Sequence, residues 1–249
     1  MFSYTAADWL ALLIVTSGIT LQAIVGIGLA LIAAPLLYLI NPAYIPAPIL
    51  ISGFVLSLLI VIQQRQNLSW QRVMPAILAR LPGAWLGAWL LITIPQSTLS
   101  LLFGISLLLA VGVSLHRFQL RATPTSLTTA GFLSGVIGTA TSVGGPPMAI
   151  VYQHEPRQTA RNEIAAFFLI GTPASVLMLA LQDGIDQHSL QLTLKLLPGV
   201  LLGWGLSRLV DNRLNLTSAR YALLAVSAIS ALWVIGDGVY QLWGTAGAM

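Results

Sequence analysis

The sequence contains no cysteine. That excludes disulfides, thiolate chemistry and any metal site built on sulfur ligands. Charge is nearly as scarce: Asp, Glu, Lys and Arg make up 7% of the chain, against about 25% in soluble domains. A soluble domain of 249 residues would need far more to cover its surface. No Lys or Arg precedes the first apolar stretch, "MFSYTAADWLALLIVTSG". It lacks the basic n-region of a signal peptide and reads as an uncleaved first segment. There is no HExxH pair, no GxSxG elbow and no P-loop, and no His falls within an apolar segment. An intramembrane enzyme would therefore lack both metal ligands and a nucleophile–base pair, and no cofactor or metal is expected. The carboxylates fall in loops or near segment ends, away from the mid-membrane position of a proton relay.

What the chain does contain is apolar. Hydrophobic residues reach 57% and the mean hydropathy is +0.87. Lipid permits only helices or closed barrels, and these runs are too long and continuous for barrel strands. The fold class expected is an all-α polytopic membrane protein. The net charge of +4 and pI near 9.9 fit basic cytoplasmic loops rather than nucleic-acid binding.

Apolar segments fall at 8–40, 45–62, 73–94, 97–115, 125–151, 162–181, 189–210 and 217–236. Arranged four plus four, the chain matches itself. "LPGAWLGAWL" at 81–90 aligns with "LPGVLLGWGL" at 197–206, and Gly26 and Pro35 align with Gly138 and Pro147. A first repeat over 1–120 and a second over 121–249 follow. Loop charge sets their orientation. Arg65, Arg72, Arg117, Arg121, Arg157, Arg161, Arg208, Arg213 and Arg220 flank four junctions, two of them on either side of segment five. All four junctions face the cytoplasm only if segment five enters and leaves on that side. By symmetry segment one does the same from outside. The expectation is two inverted-topology repeats, each a broken-helix hairpin (8–40 or 125–151) plus three transmembrane helices, with both termini outside. Residues 8–40 would run about 50 Å as one helix, too long for a bilayer core of about 30 Å. Re-entrant and fully crossing hairpins have the same parity, and both stay open.

Discontinuous helices at matching positions in inverted halves point to a transporter site near the midplane, where the two breaks would meet. The breaks are "VGIGLALIAAP" at 25–35 and "TATSVGGPPM" at 139–148. Free amides at Gly144 and Gly145, opening a helix at Pro146–Pro147, suit an anion. Thr139, Thr141 and Ser142 add hydroxyls. Gln22 is the one amide side chain in the first hairpin, beside Gly26 and Gly28. Arg80 lies well inside its segment, where a cation normally faces protein or a watery cavity; the alternative is snorkelling over about two turns to the cytoplasmic headgroups. Lys195 falls one position from the Arg80 equivalent, nearer its helix end, where it can also snorkel. The stretch "HEPRQTARNE" at 154–163 reads as a solvated cytoplasmic loop. Gly83–Gly87 and Gly199–Gly203 are small-residue contacts expected within the fold, although they could also form a homodimer face.

The stretches "GIGLALIAAPLL" at 26–37 and "GFLSGVIGTATSVGGPPM" at 131–148 resemble the TauE/SafE family of sulfite and organosulfonate exporters. So do the chain length and the two related halves. The family's first stretch is usually richer in glycine, where this chain has Ala30, Ala33 and Ala34. The resemblance implies transport of small sulfur oxyanions or sulfonates. The expected partners are then a small anionic substrate and the lipid bilayer of a bacterial-type inner (plasma) membrane. The rival reading is a non-transporting membrane scaffold or assembly subunit.

Overall fold

A computed structural model describes residues 4–25, 29–64, 68–116, 120–210 and 216–246. These form ten α-helices and one short 3₁₀ turn, with no strand among the described residues. The first broken segment is α1 (Ala6–Val25) and α2 (Leu29–Ile40). It is followed by α3 (Ala47–Gln64), α4 (Trp70–Thr93) and α5 (Gln96–Leu115). The second is α6 (Pro124–Thr141) and α7 (Gly145–Val151), followed by α8 (Arg157–Ala180), α9 (Gln187–Val210) and α10 (Leu216–Ala246). Among the described residues, seven helical stretches are long and apolar enough to cross a membrane.

Local chemistry sets the helix ends. Thr5 and Asp8 exchange hydrogen bonds at the start of α1, each side chain accepting from the other's backbone N–H. Thr123 and Ser126 form a capping box before α6, with Pro124 at its first position, where no N–H is needed. The α6 helix stops at Ser142, whose backbone is left-handed at φ 64°, a common way to end a helix.

The packing follows from small residues. Gly83 and Gly87 of α4 sit so close to α6 that a Cβ on either would overlap the carbonyls of Phe132 and Val136. Gly131 and Gly135 do the same toward Ala76 and Arg80 of α4. With no water to expel between helices in lipid, such close backbone approach drives association. Gly199 and Gly203 likewise place α9 against Leu12 and Thr16 of α1. Buried hydroxyls are satisfied one turn back, as Ser52 donates to Pro48 O and Ser106 to Leu102 O. Leu78, Trp85, Ile229 and Leu232 are each more than half exposed, a surface suited to hydrocarbon rather than water.

Other principal contacts pair α3 with α8, α5 with α10, α4 with α8 and α3 with α9. The short helices α2 and α7 lie against α10 and α5 respectively.

Candidate functional site: a buried arginine beside the second break

Arg80 is eleven residues into α4, and its side chain is completely buried. It reaches away from lipid between α6 and α8. Its Nη1 donates to Ser134 Oγ of α6 at 2.8 Å, and its Nη2 to Ser175 Oγ of α8 at 3.2 Å. Its Nε is buried without a hydrogen-bond partner. No carboxylate among the described residues pairs with it. The guanidinium carbon lies 4.9 Å from the Phe167 ring centroid and 5.1 Å from that of Phe168. Ring faces attract a cation but leave its charge unneutralised.

The path is sterically specified. A Cβ on Gly171 would overlap the Arg80 stem, so only glycine admits the side chain there. Gly138 faces the guanidinium, with a position for a Cβ 3.6 Å from Nη2. Gly144 packs on Gly138 and Ser134, and Ser134 Oγ donates to Gly144 O. Thr139 Oγ1 donates to Ser175 Oγ at 2.8 Å. The second break is thus folded back onto Arg80. Guanidinium N–H groups, three hydroxyls and glycine backbone converge there.

Of the residues expected at the site, Arg80, Thr139 and Gly144 come together, while the others have different roles. Thr141 Oγ1 donates to Ile137 O within its own helix, and Ser142 Oγ donates to Pro46 O at the start of α3. Gly145 opens α7. With seven residues, α7 adds little dipole beside a full guanidinium charge. Gln22 Oε1 accepts from Leu29 N at 2.8 Å. Its carbonyl caps the restarting helix. Lys195 lies in an ion pair: its Nζ binds Asp8 Oδ2 at 2.8 Å, at the first turn of α1. Gly26 and Gly28 lie outside the described residues.

The described residues before the first break lie apart from the turn of the second. The last turn of α1, Ala23 and Ile24, shares a cavity with Gln63 and Gln64 at the end of α3. The turn of the second break touches Pro46 at the opposite end of α3. That helix has 18 residues, about 27 Å at its rise per residue. Helix α1 has 20 residues, about 30 Å at the same rise, which brings its last turn to that end of α3.

The stretch 154–163 is also not a solvated loop. Helix α8 starts at Arg157, and Asn162 and Glu163 are buried. Arg72 of α4 bonds Glu155 and lies 3.6 Å from Glu163 Oε2. Its guanidinium is 5.9 Å from the Tyr152 ring centroid. Burial, then the Glu163 charge, pushes the Tyr152 phenol up, so it stays neutral. The alternation of polar and small residues here gave no periodic signal, and the partner Arg72 is far away in sequence.

A family model described as "Sulfite exporter TauE/SafE" matches residues 10–234. The chain belongs to the sulfite exporter TauE/SafE family. This TauE/SafE protein is a multi-pass membrane transporter of sulfur anions and not an enzyme. No curated protein and no solved structure matches it.

Proposed function

We propose that this TauE/SafE transporter carries sulfite or a small sulfonate, and that Arg80 beside the second break is the group that neutralises it. The observation that carries this reading is a wholly buried guanidinium with hydroxyl partners, an unpartnered Nε–H and no pairing carboxylate among the described residues. A buried charge is tolerated when it is paired, and an oxyanion supplies the pair during transport. Planar guanidinium geometry matches two oxygens of one anion. Ser134 and Ser175 donate to the carbonyls of Gly144 and Gly171, whereas Thr139 donates to another hydroxyl and can turn toward the third.

Arg80 is enclosed by α4, α6 and α8, so the anion reaches it only when these helices part. The contact pattern supports a duplicated architecture with a two-fold relation between the halves for that movement. Exchanging α1–α5 with α6–α10 turns the α4–α6 pair into α9–α1, and α4–α8 into α9–α3. It leaves α3–α8 and α5–α10 as they are. Together with the basic loops, this favours both termini outside and the arginine-rich junctions in the cytoplasm of an inner-membrane protein. An inside-negative potential then favours anion export by about 2.3 kcal/mol per charge per 100 mV.

Thermal unfolding in detergent tests the site. Sulfite is expected to raise the Tm of the wild-type protein but not that of Arg80→Met. Without sulfite, Arg80→Met should be about as stable as wild type, because it removes a buried charge that no carboxylate among the described residues pairs and that is costly to bury. Equal sulfite stabilisation of both proteins would refute the assignment.

A further inference from the structure

We infer that Glu163 is a proton-binding site, and that a proton there loosens the α4–α8 contact that encloses Arg80. Glu163 is the seventh residue of α8 and is 2% exposed, about 9 Å along the axis from the helix start. Its Oε2 is buried without a hydrogen-bond partner, and so is the Tyr152 hydroxyl. Buried carboxylate oxygens are ordinarily satisfied, so this one is short of a donor. The phenol and the carboxyl miss hydrogen-bond geometry but lie close enough to act on each other. Two carboxylates share one guanidinium here, because Arg72 meets both Glu155 and Glu163. One acid is therefore in excess, and a proton on Glu163 makes the cluster neutral. The proton comes from water, forms an O–H bond at the Glu163 carboxyl, and leaves Arg72 paired with Glu155. A route exists, since the Glu155 side chain is 24% exposed against 3% for that of Glu163.

Among the described residues, Arg72, Tyr152 and Glu155 are the groups that act on the Glu163 carboxyl. Arg157 and Arg161 of α8 and His154 before it are not among them. Of the helices packed on α8, α3 and α6 carry no charged residue, α1 carries Asp8 in its first turn, and α4 carries Arg80 beyond Arg72. On α9, Arg208 stacks on Trp204. Position gives the proton its consequence. Arg72 and Arg80 lie two turns apart on α4, and α8 answers them in order, with Glu163 against the first and Phe167, Gly171 and Ser175 against the second. Residues four apart on a helix share a face, so the ion pair and the buried guanidinium are successive contacts of one seam. When α4 and α8 part to admit the anion, the Arg72–Glu163 attraction opposes the movement, and a proton on Glu163 removes that opposition. This consequence for transport rests on the proposed function, whereas the proton site and the loosening do not.

Infrared difference spectroscopy of the protein in phosphatidylcholine nanodiscs, without substrate, reads the proton directly. Lowering the pH from about 9 to about 5, a window that spans ordinary and buried carboxyls, should raise a protonated-carboxyl C=O band in wild type that Glu163→Gln lacks. Glu155→Gln should keep the band but need a lower pH to form it, because one acid then faces one guanidinium. Amide hydrogen exchange over α4 and α8 reads the seam, taken as the ratio of Glu163→Gln to wild type at each pH so that intrinsic exchange cancels. Exchange in Glu163→Gln should be faster by about tenfold at alkaline pH, the worth of one partly buried ion pair, and the two proteins should converge as the pH falls. The inference is overturned if Glu163→Gln keeps every titrating band, or if the exchange ratio is the same at all pH values. Should Glu163→Gln fail to fold, the Glu155→Gln titration decides, and a band at the wild-type pH overturns the inference. Absence of sulfite flux through wild-type protein would instead overturn the transport reading and leave both readouts untouched.

Discussion

Arg80 and Arg72 lie two turns apart on α4 and are held in opposite ways. Arg72 is met by Glu155 and Glu163, whereas Arg80 is met by hydroxyls and ring faces. The first is an internal brace, and the second is the charge we propose for the ligand. Arg72→Ala leaves Glu163 buried without its cation and should cost about 3 kcal/mol. Adding Glu163→Gln removes the stranded charge and should recover part of that loss. A double-mutant cycle by thermal or denaturant unfolding measures it, and strictly additive losses would contradict the brace. Sequence alone singled out Arg80, because an arginine inside an apolar run is conspicuous. It did not reveal that Lys195 is paired with Asp8, 187 residues away, or that the Gln22 carbonyl caps Leu29. Both depend on tertiary approach, which composition does not carry.

At the level of elements, the α4–α6 seam positions the site. Its glycines bring Arg80 and Ser134 into register, while Trp85 and Trp89 point outward and are exposed. Gly87→Leu should therefore destabilise strongly, beyond the usual overpacking cost of about 1–3 kcal/mol, because the overlap is with backbone rather than a movable side chain. Trp85→Leu, two residues earlier, should be nearly silent. Comparing the Tm of the two variants checks the seam, and equal effects would contradict it. The break at 139–148 was legible because Thr, Ser, Gly and Pro interrupt an apolar run. Its detailed use was not. Thr139 turns into the site, but Thr141 and Ser142 are spent on backbone carbonyls. Adjacent hydroxyls differ in role because a helix end rotates them to different sides.

For the molecule as a whole, apolar run length carried the fold class, and the Gly and Pro residues inside two runs carried the broken segments. The native chain has no cysteine, so single cysteines report topology without background. The proposed inverted arrangement expects Asp183→Cys to react with an impermeant maleimide from outside intact cells, and Arg121→Cys to react only after permeabilisation. The reverse pattern would contradict the orientation, and matching accessibility of both positions would contradict the inverted parity. The most direct test of the central claim is sulfite efflux from proteoliposomes containing wild-type protein or Arg80→Gln, both reconstituted as folded, monodisperse material. The account predicts saturable wild-type efflux that an outside-positive potential accelerates, and a loss of about 10- to 100-fold in Arg80→Gln, the worth of a charge-assisted hydrogen bond. Undiminished efflux through Arg80→Gln, or none through wild type, would contradict it.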